Sequence, residues 1–188
     1  GGASNTASGS NSFIGGGNSN GNVSSSGVIV GGSGNITSAA GNHFIGGGYL
    51  NTTNGNYNYQ TIVGGFNSTS SNRYTFIGGG YQNSTTNEWG TVAGGRSNVA
   101  SGVYSTIGGG YANGASGGFS TIAGGDSNTA SGCRSNVSGG LLNTASSYQS
   151  VVGGGYANVS CAACSTVGGG RVNTASGGHS FVGGGANN

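Results

Sequence analysis

The chain contains no proline, no methionine and no lysine, and only 3% of its 188 residues are charged. Each absence removes a class of protein. Without proline, and with glycine not recurring at every third residue, a collagen triple helix is excluded. Four arginines, one aspartate and one glutamate give a formal charge of +2, so there is no basic patch for phosphates and no polybasic signal for anionic lipid. A nucleic-acid partner is therefore not expected. No run approaches 18 apolar residues, so no membrane span is expected in this segment. Leu, Ile, Val and Phe together number 31, too few for a thick hydrophobic core.

What the chain has instead is glycine, 47 residues of it, and a repeat. An aliphatic residue precedes a glycine-rich run at Ile14, Ile29, Ile45, Ile62, Ile77 and Val92, then at Ile107, Ile122, Val137, Val152, Val167 and Val182. The spacings are 15, 16, 17 and then 15 throughout. In step runs an asparagine series: Asn5, Asn20, Asn35, Asn51, Asn83, Asn98, Asn113, Asn128, Asn143, Asn158 and Asn173, reaching Asn188, with Ser68 as the one substitute. The unit is x-x-N-T-A-S-G-x-x-S-T-I-G-G-G.

Each half of the unit is a short alternating stretch ending in glycine. Alternation with period 2 is the mark of a strand, with Asn and Ala on one face and Thr and Ser on the other. In the second half Ser and Ile share a face. A helix is excluded because two or three glycines per unit would each cost about 1 kcal/mol. The expected fold is all-β: a narrow β-solenoid, or β-roll, of about twelve 15-residue coils with two short strands per coil, running continuously over residues 1–188 as a segment of a longer chain. Glycines are expected to supply the positive φ angles of the corners. The extra residues between Asn35 and Ile45 and between Asn51 and Ile62 fall in one corner, so longer corner loops are expected within 36–61, including the stretch from Asn54 to Tyr59.

The inward asparagines form a structural ladder, each amide bonding its neighbour or a corner backbone group. Of seven Asn-x-Ser/Thr sequons, those at Asn35, Asn51, Asn83 and Asn158 use this inward row, and Asn22 carries another. Asn67 and Asn136 lie off the row and are the better candidates for glycosylation.

Outward on the second strand lie Phe13, Val28, Phe44, Phe76, Val151 and Phe181, with threonines between them, beside a row of glycines. A thin roll cannot hide these residues internally, so they are candidates for an interface with another chain, against the alternative of scattered exposed apolar residues. At one corner Tyr59, Tyr74, Trp89, Tyr104 and Phe119 occupy the same repeat position, an aromatic ladder; a second corner holds Tyr49, Phe66, Tyr81, Tyr111 and Tyr156. Self-stacking, subunit packing and sugar-ring binding are all open for these columns. The first strand presents outward hydroxyl pairs such as Thr129 with Ser131 and Thr144 with Ser146, a surface able to order water.

Catalytic chemistry fails on spacing. Coils about 4.8 Å apart put His179 and Asp126, 53 residues apart, roughly 17 Å from one another along the axis, too far for a triad. Glu88 and Asp126 lie roughly 12 Å apart, beyond a glycosidase pair. A calcium-binding β-roll needs an aspartate in every repeat, and one occurs. No enzyme activity, cofactor or metal is expected. Of the three cysteines, Cys161 and Cys164 bracket a corner where a disulfide could close a small loop; free thiols are the other reading, and Cys133 is nearly two coils away from Cys164.

The motif N-T-A-S-G-x-x-S-T-I-G-G-G resembles the β-roll repeats of trimeric autotransporter adhesin heads and of repeat regions in phage or viral tail fibres. That resemblance covers nearly the whole chain. It implies a non-enzymatic extracellular fibre or adhesin segment, at a cell or virion surface, whose rolls pack side by side or end to end as a homo-oligomer (trimer or filament) and meet a host-surface glycan or protein. The stretch with Asn128, Ala130 and Gly132 also resembles the half-repeat of plant β-roll antifreeze proteins, with Ala in place of Val. This implies the alternative function, ice binding through an outward Thr/Ser face.

Overall fold

The computed structural model describes residues 1–38, 40–55 and 59–188. It is all-β, with no helix among the described residues, and has two compact units, Gly1–Arg96 and Ser97–Asn188, each built of six coils with two strands per coil. The expected β-solenoid of about twelve coils is what the chain forms. Strands are two residues long except His43–Ile45 and Gln60–Ile62, which have three. Within each unit the first strands of successive coils pair parallel in one sheet and the second strands in another.

The coil from Asn98 to Ala112 shows how the sequence produces this. Its strands are Val99–Ala100 and Thr106–Ile107, in register with Gly114–Ala115 and Thr121–Ile122 of the following coil. Alternation turns Asn98, Ala100, Ser105 and Ile107 inward, all fully buried, and leaves Val99 and Thr106 outward. The core of unit two is thus a column of Ile or Val against a column of Ala, and each buried aliphatic side chain contributes about 1.5–3 kcal/mol. The strand N–H groups donate to the next coil: Thr106 to the Ser120 carbonyl at 3.0 Å and Gly108 to that of Ile122 at 2.9 Å.

The corners differ from expectation. Glycine supplies only part of the left-handed backbone. In the coil above, Gly110 has φ 89°, but Tyr104 (φ 58°) and Ala112 (φ 52°) are left-handed too, and the same two coil positions hold Leu50, Arg134 and even the β-branched Val172. A left-handed non-glycine residue costs about 1–2 kcal/mol. The compensation is a reversal of hydrogen-bond direction. Phe119 donates its N–H back to the Val103 carbonyl at 2.8 Å, and Ser127 to that of Tyr111 at 2.9 Å. Strands tie each coil forward and left-handed corners tie it back, so backbone donors at the turns are not orphaned.

Glycine is compulsory at the Gly110 position for another reason. A Cβ there would collide with the Gly125 carbonyl oxygen of the next coil and stand 2.7 Å from Asn113 Nδ2. That close approach exists to serve the asparagine row. Asn113 donates its backbone N–H to Asn98 Oδ1 at 3.0 Å and its Nδ2 to the carbonyls of Gly109 (3.0 Å) and Gly125 (2.9 Å). Asn20, Asn35, Asn128, Asn143, Asn158 and Asn173 repeat the pattern of binding one glycine carbonyl of the preceding coil and one of their own.

Unit one keeps the frame and changes the filling. Where unit two sets Ala against Ser across the coil, unit one sets Asn22 against Gly27, Thr37 against His43, Thr53 against Gln60 and Thr85 against Gly90. A Cβ on Gly27 would run into the Asn22 amide, so the large residue on one strand is matched by the smallest on the other. Asn22 sits wholly inside, donating to the carbonyls of Gly27 (2.8 Å) and Phe13 (3.1 Å) and accepting from Thr37 Oγ1 at 2.6 Å. His43 and Gln60 occur in the two coils that carry the extra corner residues. The bulkier inward side chains and the longer corners go together.

Candidate interaction faces

No concave pocket and no cluster of metal-ligating side chains occur among the described residues. What the molecule offers is surfaces. All six charged residues lie at corners outside the paired strands, and one ion pair joins Arg73 to Glu88 of the next coil at 2.8 Å. At the exposure of these groups that pair contributes little.

The aromatic ladder stacks on itself. In unit one Tyr59 lies 5.3 Å from Tyr74 with ring planes 11° apart, and Tyr74 lies 4.0 Å from Trp89 at 8°. In unit two Tyr104 stacks on Phe119 at 4.9 Å and 9°. The second corner column is continuous only over Tyr49, Phe66 and Tyr81; Asp126 and Leu141 stand between Tyr111 and Tyr156. Arginines sit over several of these rings, Arg96 over Tyr81 at 5.2 Å, Arg171 over Tyr156 at 5.9 Å and Arg134 between Phe119 and Tyr148. Coil spacing makes this inevitable, because rings 15 residues apart meet at van der Waals distance. Ring faces within the stacks are occupied by neighbouring rings. That geometry removes the basis for sugar-ring stacking on the interior members of the columns.

On the second sheet the expected outward row is outward. Phe13 is 55% exposed and Phe181 72%, with Phe44 and Phe76 also exposed and Val28 and Val151 half-buried. Every phenylalanine of this row is followed two residues later by glycine: Gly15, Gly46, Gly78 and Gly183. A Cβ added to Gly46 would stand 3.3 Å from Phe44 Cε1, and the other three glycines give 3.4 to 3.5 Å. The rings therefore lie down across the glycines instead of projecting. The face stays flat.

The first-sheet hydroxyls are outward as expected, with Thr129, Ser131 and Ser146 exposed and Thr144 half-buried. Asn67 is exposed at a left-handed corner, and Asn136 is a half-buried outward strand residue whose Oδ1 accepts from Ser138. Within the long Asn54–Tyr59 corner, residues 56–58, like Ala39, lie outside the described residues.

The cysteines take the second of the two readings left open for them. Cys133, Cys161 and Cys164 are all free thiols, and no Cys161–Cys164 disulfide closes the corner. The two sulfurs lean opposite ways along the stack. Cys161 Sγ points to the Ala175 carbonyl of the following coil at 3.7 Å, whereas Cys164 Sγ points to Gln149 Oε1 of the preceding coil at 3.4 Å.

Buried His43 was not anticipated as special. It is 2% exposed, it pairs in register with Gln60, and burial lowers its pKa from the ordinary value of 6.5, with contacts to Gln60 and the Ala40 backbone partly opposing that shift. Both imidazole nitrogens, Gln60 Oε1 and Thr53 Oγ1 are buried without a hydrogen-bond partner of good geometry. A signal is present in the sequence, since His43 stands at the coil position that serine fills in all six coils of unit two.

No protein-family model matches the chain, and a search of curated proteins finds no match. The functional reading therefore stands on the geometry of the faces.

Proposed function

We propose that this chain is a non-enzymatic structural segment of an extracellular fibre or adhesin, displayed at a cell or virion surface, whose solenoid coils assemble with other solenoids. The observation that carries this reading is the flat, uncharged Phe/Val row on the second sheet, which a roll one residue thick has no means of burying internally. The self-stacked aromatic corners support it, since they stiffen each unit without calling on a ligand. A homo-oligomer, trimer or filament, is the assembly proposed, and a host-surface glycan or protein is the outside partner. Sedimentation of the intact chain, compared with a variant in which Phe13, Phe44, Phe76 and Phe181 are all serine, tests it. An oligomer that dissociates in the variant is expected. Monomers in both would remove the reading.

The second reading is ice binding. The specific observation in its favour is the outward column Ser101, Ser116, Ser131 and Ser146 on four consecutive coils, beside Thr129 and Thr144, on a sheet too regular to disrupt a water layer. Thermal hysteresis in a cooled solution of the monomer is its test; none at millimolar protein would dismiss it.

A further inference from the structure

The second-sheet face of residues 1–96 carries a pattern that the repeat does not require. In register along the unit, its outward row reads Phe13, Val28, Phe44, Thr61, Phe76, Thr91. Two residues on, the row reads Gly15, Val30, Gly46, Val63, Gly78, Ala93. Coils one, three and five thus present a phenylalanine lying across a glycine. Coils two, four and six present a β-branched residue beside a valine or alanine. The period of the surface is two coils, roughly 9.6 Å, twice the backbone period. Unit two has no such alternation: threonine recurs at Thr106, Thr121 and Thr166, with Asn136 and Val151 between.

A strict alternation over an even number of coils is complementary to its own reversal. If two such faces meet antiparallel, coil one lies opposite coil six, two opposite five and three opposite four. Every phenylalanine coil then meets a Val/Thr coil, so Phe13 faces Thr91, Phe76 faces Val28 and Phe44 faces Thr61. Parallel alignment in register would set phenylalanine on phenylalanine and glycine on glycine, and a one-coil shift to cure this would uncover a coil at each end. A partner that fits this face must offer matching relief every two coils, and an identical chain does. None of the six charged residues lies on the face to oppose the contact.

We infer that this face is a self-association surface on which a second copy of the chain docks antiparallel, face to face, about a two-fold axis. The inference rests on the packing reading above and names its partner and geometry. The contact is isologous, the same patch on both copies. Six coils of roughly 29 Å by a strand and flanking corners of roughly 20 Å cover on the order of 600 Å² per copy, somewhat below the roughly 800 Å² of a standard interface. The pairing is therefore reversible and concentration-dependent.

The test uses the intact chain and two variants at outward strand positions, Phe13→Glu and Thr91→Lys, each checked by circular dichroism to retain the wild-type spectrum. Residues 13 and 91 lie five coils apart within one chain, so only antiparallel pairing brings one copy's 13 to the other's 91. Sedimentation over a concentration series should show a wild-type dimer, association weakened about tenfold or more in each variant alone, and association restored in their equimolar mixture. A mixture no better than either variant overturns the antiparallel geometry. Variants as associated as wild type show that another face assembles the protein, which ends this inference and leaves the packing reading standing. A wild-type monomer throughout ends both. Should either charged variant fail to fold, Phe44→Ser gives the same comparison without charge, with loss of the dimer expected and retention counting against the inference.

Discussion

Residues 97–188 and residues 1–96 are two executions of one plan. The later unit holds to 15 residues per coil, and its inward strand positions are mostly alanine facing serine. The earlier unit has coils of 16 and 17 residues, and encloses Asn22, His43 and Gln60 at coil positions where the later one has only alanine or serine. Yet the strand pairing, the glycine row and the asparagine row recur within each unit in the same form. The difference shows which interactions are the frame and which are filling. Backbone bonds between coils, with the asparagine amides tied to glycine carbonyls, define the coil; the side chains enclosed need only match across its width, large against small.

The sharpest way to break the frame is to leave the filling alone. Gly110→Ala adds one methyl group against the Gly125 carbonyl at a backbone φ of 89°. It should destabilise unit two by about 3 kcal/mol or more, because neither neighbouring backbone can retreat without losing its own ladder bonds. Gly114, four residues on, is an outward strand residue with open space where its Cβ would be. Gly114→Thr should be neutral or stabilising by about 0.5 kcal/mol. Urea unfolding of both variants decides: equal midpoints would mean that the glycine row is compositional and not part of the frame.

The filling of unit one responds to acid where that of unit two does not. His43 is neutral in the fold because burial lowers its pKa below 6.5, while the unfolded chain protonates at the ordinary value. Between those two values the unfolded state binds more protons. Stability is therefore whole above pH 6.5 and falls as pH drops through that value toward the folded pKa. The groups packed nearest, Gln60, Thr37 and Thr53, carry no charge that could offset an imidazolium. Amide exchange across residues 1–96 should accelerate between pH 7 and 5, after correction for intrinsic rates, while exchange across 97–188 should not. His43→Thr should abolish the difference, and its persistence in that variant would place the acid sensitivity elsewhere.

Much of this was legible from residues alone. The period, the two strands per coil, the inward asparagines and the outward phenylalanines all follow from alternation, which depends only on chain geometry. The left-handed corners were not legible at Leu50, Tyr104 or Val172, because nothing in those side chains favours positive φ; the neighbouring coils impose it. The orientation of the Cys161 and Cys164 sulfurs is likewise a matter of contacts above and below the corner. His43 could have been found by aligning the 16-residue coil on its strands instead of its total length. The flatness of the Phe/Gly face lay in the pairing of each phenylalanine with a glycine two residues on, a regularity visible only once the two positions are seen to be neighbours on one face.

The gentlest test of the comparison is to repair the one break in the frame of unit one. Ser68 donates its backbone N–H to Asn51 Oδ1 at 3.0 Å, and its Oγ accepts from the Asn83 N–H at 3.3 Å. Its side chain is too short to reach the glycine carbonyls of the preceding coil and its own, the two kinds that Asn51 and Asn83 both bind. Ser68→Asn restores the amide where the surrounding corner already has the geometry to receive it, with Gly80 at φ 95° as in intact coils. Two further hydrogen bonds, each worth about 0.5–1.5 kcal/mol net, less the ordering of one side chain, predict a gain of about 1 kcal/mol. The gain should appear as a higher urea midpoint with unchanged slope. A loss would mean that the coil from Ser68 to Gln82 has closed around the serine, and that the asparagine row is one element of the filling and not of the frame.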